Sequence, residues 1–395
     1  FGADYILPKP LDPRLLTTVA PAVAKAAMES GVARRPIADW DAYCAKLRQL
    51  MGYDNKLMRR FTDEAKRNPK RVVFAEANTD NMLRAAASSA RQGICIPILL
   101  GNEEMIEKRA ARLGVNIEGI EIVNLRHDRE ADRRHRYATI LAQKRQRAGL
   151  TYPEALEKMF DRNYFGMMMV ESGEADAFIA GTYSNSHQTG EIAKEVVGIR
   201  PSYNHFATMH IMNTKRGTFF LADTMINQQN DEDTLFDIAR LARYSVEYFA
   251  HDPVMAMVSY SNFGSNCDGE SECKRVHTVV DRMQQKYPEL PIDGEMQVHY
   301  ALNKKLRDER FPFSRLKGRD VNTLIFPNLS AANTAYRMML ELGVAEAIGP
   351  IQIGLNKPIH FIAVDSEVRD IINLATIAVL DAAVLEKAGG KMQDK

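Results

Sequence analysis

The residues of this 395-residue chain that could do chemistry fall in four short stretches, each at or just beyond an apolar, β-rich run. They read "AGTYSNSHQTGE" (180–191), "SYSNFGSNCDGES" (259–271), "FPNLSAANTAY" (326–336) and "GLNKPIHFIAVDSEVRDII" (354–372). Three of them are rich in Ser, Asn and Gly. These residue types offer hydroxyl, amide and backbone N–H donors to phosphate or carbonyl oxygens. In open α/β sheets a ligand sits beyond the carboxyl ends of the strands, where these stretches fall. Each stretch taken alone has an ordinary turn composition. Four of them in one chain favour a ligand cleft. The fourth stretch differs from the rest, because the run "HFIAV" leaves a Lys-Pro turn and meets an acidic helix start.

Other reactive constellations are weaker. The chain has no G-x-x-x-x-G-K-[ST], no G-x-G-x-x-G after a strand and no G-x-S-x-G. His205 and His210, in "HFATMH", have the wrong spacing for a zinc helix and lie on an expected strand, which favours core histidines. "DGE" at 293–295 reads as a turn with a solvated acid. The arginine-dense segment 126–147 reads as a solvated helix face with i,i+4 ion pairs. Within it Arg145, just before the "AGLTYPEA" turn, is best placed to reach a polyphosphate. Cys44, Cys95, Cys267 and Cys273 are scattered and contain no C-x-x-C pair, which fits a reducing compartment better than a disulfide framework or a zinc site. No metal site is expected.

The elements that must position these stretches follow from periodicity. From about residue 71, short β-rich runs ("RVVFAEA", "CIPILLG", "IEIVNL", "ADAFIAG") alternate with amphipathic helical runs. That rhythm predicts a mostly parallel sheet flanked by helices. The second half repeats it with antiparallel signs: "NHFATMHIMNTKRGTFFLAD" reads as two strands around a turn at 215–217. Residues 1–50 differ. They carry a proline-punctuated segment, a helix stopped near Gly31, and a second helix over 39–51 with the single tryptophan, Trp40. Such an apolar helical arm needs a partner surface. A net charge of +1 excludes wholesale nucleic-acid binding. No apolar run has membrane-spanning length, so no membrane partner is expected. The N-terminus lacks a signal-peptide pattern and an initiator Met and reads as mid-protein sequence, so a cytoplasmic fragment of a longer chain is expected.

Seven segments together resemble the phosphate acetyltransferase (phosphotransacetylase) family: "RVVFAEA", "RQRAGLTYPEA", "ADAFIAG", "FFLADTMIN", "VMAMVSYSNFGS", "DGEMQVHYAL" and "TLIFPNLSAANTAYRMMLELGVAEAIGPIQIGLNKPI". The likeness runs from about residue 51 to the end. Residues 1–50 resemble the end of the cofactor-binding domain of bacterial malic enzymes. The combination is similar to the C-terminal portion of the large, multidomain NADP-dependent malic enzymes. The resemblance implies an α/β fold of two subdomains with a cleft between them, 51–200 plus 352–395 and 201–351, after a tail and linker at 1–50.

It also implies a site. Active phosphotransacetylases move an acetyl group between CoA and phosphate, using a Ser-Arg pair after the K-P-[IV] turn and an aspartate seven residues after that serine. Counting from Lys357-Pro358-Ile359 puts Ala363 at the serine, Val364 at the arginine and Asp370 at the aspartate. A further family arginine falls near Glu191, and another corresponds to Arg145. Without hydroxyl and guanidinium, and with an acid near Glu191, acetyl transfer is not expected, and no residue is assigned as catalytic. The resemblance instead implies an acetyl-CoA effector site, with Arg145 and Lys357 for phosphates, Tyr183 for adenine stacking, and Ser186 and Asn333 for pantetheine or carbonyl contacts. It further implies a homo-oligomer, such as a dimer or hexamer, and a malic enzyme domain outside this chain that uses NADP and Mg or Mn. Retained acetyl transfer and a purely structural oligomerisation role are the competing expectations.

Overall fold

The computed structural model describes residues 15–40, 43–44, 47, 56–181, 185–249, 251–269 and 271–387. The chain divides into two compact units, 1–60 and 61–395. In the first, helix α1 (Ala20–Glu29) has proline in its opening turn and no buried residue. It ends in paired bonds, Gly31 N to Met28 O and Val32 N to Ala27 O, with Gly31 at φ +74°. This Schellman closure needs a left-handed residue, which glycine supplies without a Cβ clash. The second helix expected over 39–51 lies largely outside the described residues.

Helix α2 (Lys56–Arg67) leads into the first sheet. Strand β1 (Arg71–Phe74), helix α3 (Asp80–Arg91), β2 (Ile96–Leu100), α4 (Glu103–Leu113) and β3 (Glu121–Val123) follow in strict alternation. Helices α5 (Ala131–Arg145), α6 (Tyr152–Lys158) and α7 (Arg162–Glu171) precede β4 (Ala177–Ala180) and α8 (Ser186–Val196). The arginine-dense segment is less solvated than its composition suggests. Arg133 and Arg136 pair with Glu174, Lys144 with Glu171, and buried Arg134 donates to the Leu125 and His127 carbonyls. Its ion pairs mostly tie α5 to other elements instead of running along one helix face.

The second sheet begins with a hairpin, β5 (Ala207–Thr214) and β6 (Gly217–Ala222), turning at Lys215–Arg216. Then come α9 (Glu232–Tyr248), β7 (Met255–Val258), α10 (Glu272–Lys286), β8 (Ile292–Met296), α11 (Val298–Leu302), α12 (Lys304–Arg310), β9 (Thr323–Ile325), α13 (Leu329–Glu341) and β10 (Ala345–Ile353). The chain closes with β11 (Ile359–Phe361) and the 20-residue α14 (Val368–Lys387).

The five-stranded sheet has the order β11-β4-β1-β2-β3 and is parallel throughout. Its strands β1 and β4 are almost wholly buried, as strands covered by helices on both faces must be. The six-stranded sheet, β10-β5-β6-β9-β7-β8, is parallel from β6 to β8 and antiparallel across β10-β5-β6. Thus β11 and α14, last in the chain, belong to the first sheet: β11 pairs with β4, and α14 covers α3.

Two readings from composition are overturned. Cys267 and Cys273 are joined as a disulfide, with Cα atoms 5.7 Å apart. The strand-end loop folds back on the start of α10, which brings together sulfurs that spacing alone leaves apart. The "DGE" acids are not solvated. They lie in buried β8, where Glu295 is fully buried and Asp293 accepts from Ser314 Oγ at 2.7 Å and Arg315 N at 2.8 Å.

Candidate functional site

The order of the parallel sheet reverses at β1, with β2 and β3 on one side and β4 and β11 on the other. A doubly wound sheet opens a crevice at such a point, beyond its strand ends. Here the ends of β4 and β11 approach closely. A Cβ on Gly181, at φ +118°, would lie 2.4 Å from the Ile362 carbonyl oxygen, so only glycine fits. The Gly181 N–H donates to fully buried Glu76, just past β1, at 3.1 Å. Residues 182–184 lie outside the described set, and Tyr183 with them. Asn185 then caps α8 through the His187 N–H at 2.9 Å, and half-buried Ser186 is the first residue of that helix.

Beyond β11, Ala363 is half-buried and Val364 is 70% exposed. A turn closes from Ser366 N to Ala363 O, and Asn81 on α3 donates to the Ser366 carbonyl at 3.1 Å. Asp370 accepts from the Glu367 N–H at 2.9 Å, in the opening turn of α14. Burial raises its carboxyl above the usual aspartate value. The Glu367 hydrogen bond opposes that shift, and the charges of Glu367 and Asp365 add to it.

Helix α13 reaches this loop from the second sheet. Arg337 lies 3.6 Å from Asp365, and Arg369 pairs with Glu346 of β10 at 3.0 Å. Asn333 and Tyr336 sit one turn apart on α13. The Tyr336 ring stacks on His210 at 4.3 Å, and His210 Nδ1 bonds Thr224 Oγ1 at 2.8 Å. Complete burial, with Arg337 nearby, drives the imidazole down to about 3, so it is neutral at physiological pH. His210 is therefore a core histidine.

The residues singled out from sequence separate into two groups. Ser186, Ala363, Val364 and Asp370 lie at the carboxyl end of the parallel sheet, with Asn333 on the helix whose Arg337 approaches Asp365. Arg145 and Lys357 lie at the far end of α8, roughly 16 Å away by helical rise. There Arg145 donates to the Lys194 and Glu195 carbonyls at the α8 C-terminus, and Asn356 bonds Val197 and Gly198. Arg145 therefore acts as a helix-terminus cation. It lines an open groove of about 830 Å³ with Glu191, Lys194, Glu195 and Lys158. The lysines of that groove are already paired, Lys194 with Glu191 at 2.7 Å and Lys158 with Glu195 at 3.2 Å. The Lys357 ammonium has no partner among the described residues. Arg337, Asp365 and Glu76 were not singled out beforehand. Only Glu76, an acid inside an apolar strand run, carried a local signal.

The family profile described as "Phosphate acetyl/butaryl transferase" matches residues 56–379. This chain belongs to that family. Within it, the phosphate acetyltransferase of Acetivibrio thermocellus is 32% identical over 81% of this chain and 96% of that protein. The NADP-dependent malic enzyme of Escherichia coli is 38% identical, and that of Salmonella typhimurium 37%, each over 97% of this chain. The chain spans about half the length of these malic enzymes and matches their C-terminal half. Among solved structures, a phosphotransacetylase from Streptococcus pyogenes covers 84% of this chain at a TM-score of 0.75 and 27% identity. EutD phosphotransacetylase from Staphylococcus aureus covers 83% at 0.73 and 28%. The phosphate acetyl/butaryl transferase fold is thus shared, and no helix among the described residues is long and apolar enough to cross a membrane.

Proposed function

We propose that this chain is a regulatory member of the family that binds acetyl-CoA without transferring its acetyl group, and that it controls a malic enzyme domain in a longer protein. The observation that carries the reading is the end of β11. Where the family resemblance calls for a serine and an arginine, Ala363 offers no hydroxyl and the exposed Val364 no charge. Losing one preorganised donor to a developing oxyanion costs about 100-fold or more in rate. Two such losses remove phosphate activation, and Glu191, on α8 and paired with Lys194 at 2.7 Å, supplies no cation in place of the further family arginine. Asp370 keeps its position, but its carboxylate is engaged at a helix start.

Binding needs less than catalysis. Most contacts of a CoA ester are made by its nucleotide and pantetheine. The length of α8, from Ser186 to the Arg145 and Lys357 end, is a span that an extended pantetheine arm covers. Acetyl-CoA would act as an inhibitor by binding one of two states of the assembled enzyme more tightly. The similarity to malic enzymes over half their length supports a malate-decarboxylating partner domain that uses NADP and a divalent metal. A homo-oligomeric assembly is part of the same proposal.

The test is calorimetry of the 395-residue chain with acetyl-CoA, paired with an assay of acetyl phosphate formation from acetyl-CoA and phosphate. Saturable binding without turnover is expected. Absence of binding sinks the effector role. Turnover abolished by Asp370→Asn restores the acetyltransferase reading.

A further inference from the structure

A second cavity, of about 490 Å³, opens on the other half of the parallel sheet, beyond the carboxyl ends of β1, β2 and β3. It shares no lining residue with the groove at Arg145. Its volume lies within the ~300–1,000 Å³ of small-molecule sites. One wall is apolar: Leu100, Met105, Leu125 and Phe160. Phe160 is 41% exposed and Met105 57%, so both present surface to an occupant. The wall is held in place by Arg134. That buried guanidinium bonds the Leu125 carbonyl at 2.6 Å and stands 4.9 Å over the Phe160 ring.

The polar rim is mostly donors, with Asp161 the one acid among the lining residues. Asn78, Asn102 and Asn124 each have the side-chain carbonyl engaged: by Arg162 Nη1 at 3.0 Å, by Met105 N at 3.0 Å and by Arg126 N at 3.2 Å. Their three –NH2 groups have no partner among the described residues, and neither has the Arg126 guanidinium. The acids at and near the rim are engaged, Asp161 through one of its two carboxylate oxygens. Asp161 caps α7 through the Asn163 and Tyr164 N–H groups, Glu103 pairs with Arg129 at 3.0 Å, and Glu104 with Lys108 at 2.6 Å. A rim of unmatched donors calls for a ligand dense in acceptor oxygens, and the apolar wall calls for a flat or apolar body.

We propose that this cavity is a second small-molecule site, for a nucleoside monophosphate. The phosphate oxygens accept from Arg126 and the asparagine amides, and the base lies against Phe160 and Met105. The test is calorimetry of the 395-residue chain with adenosine 5′-monophosphate, adenosine and inorganic phosphate, repeated with Arg126→Glu and with acetyl-CoA present. The nucleotide is expected to bind saturably, with adenosine and phosphate each at least about 10-fold weaker. Arg126→Glu, at an exposed position, should weaken the nucleotide by about 10-fold or more and leave acetyl-CoA heats unchanged. Saturating acetyl-CoA should leave the nucleotide affinity within about twofold. No saturable nucleotide binding overturns the proposal, as does an affinity unaffected by Arg126→Glu or displacement by acetyl-CoA.

Discussion

On the proposed function, two side chains, Ala363 and Val364, separate a transfer site from a binding site. Val364 is exposed, so an arginine can enter there without repacking the core. The triple change Ala363→Ser, Val364→Arg and Glu191→Arg is therefore expected to fold. It should raise acetyl phosphate formation about 100-fold above the parent's background, because it replaces donors of the kind whose loss costs that much. A triple variant indistinguishable from the parent would mean that other family contacts are also missing. Asp370 gives a second test. Its raised carboxyl means that the folded state holds a proton more tightly than the unfolded state does, so stability falls as pH rises from the ordinary 3.8 through the raised value. Asp370→Asn keeps an oxygen for the Glu367 N–H and removes the buried charge. Its unfolding midpoint at pH 7 should lie above the parent's by about 1–3 °C, and the gap should close in acid. A gap that widens in acid contradicts this assignment.

Among the elements, β4 and β11 carry the tightest constraint. Gly181 combines φ +118° with the 2.4 Å approach to Ile362, so Gly181→Ala must shift one strand end or the other. A loss of about 2–4 kcal/mol is expected in urea unfolding, with the Glu76 hydrogen bond disturbed as well. An unchanged midpoint would show that the strand ends can spread freely. Much of the element layout was legible beforehand, because periods of 2 and 3.6 residues are local properties. The β5–β6 hairpin and the glycine closure of α1 were readable this way, whereas the helix Ser186–Val196 begins inside a stretch read only as a polar strand-end segment. The roles of the polar strand-end residues were less legible. Asn185 and Asn328 cap helices, as the turn reading allows, through N–H groups two or three residues on. The same residue types serve caps and ligands, so composition alone does not separate the two uses.

For the molecule as a whole, the two units give the remaining prediction. Residues 61–395 contain both sheets and the site, and α2 begins at Lys56. A chain shortened to 56–395 is expected to keep the parent's far-ultraviolet circular dichroism per residue and a single cooperative unfolding transition. Loss of cooperativity would show that residues 1–55 are part of the folding unit. At this scale the return of β11 and α14 to the first sheet is decisive, because it brings residues 354–372 beside β4. The family resemblance implied that return. Periodicity identifies a strand and a helix but not the sheet they join.

What the sequence determined by itself was the alternation of elements, the family, and the side chains that are absent: no hydroxyl at Ala363, no charge at Val364. Those are properties of residue identity and spacing, and they survive any packing. The tertiary structure decided who meets whom. It joined Cys267 to Cys273, buried the Glu295 carboxylate, set Arg145 against the carbonyls of α8 and moved Lys357 to the opposite end of that helix from Ser186. It also left the asparagine –NH2 groups of the second cavity without a partner among the described residues. Such outcomes depend on contacts between residues far apart in the chain, made when apolar faces close, and no local pattern encodes them.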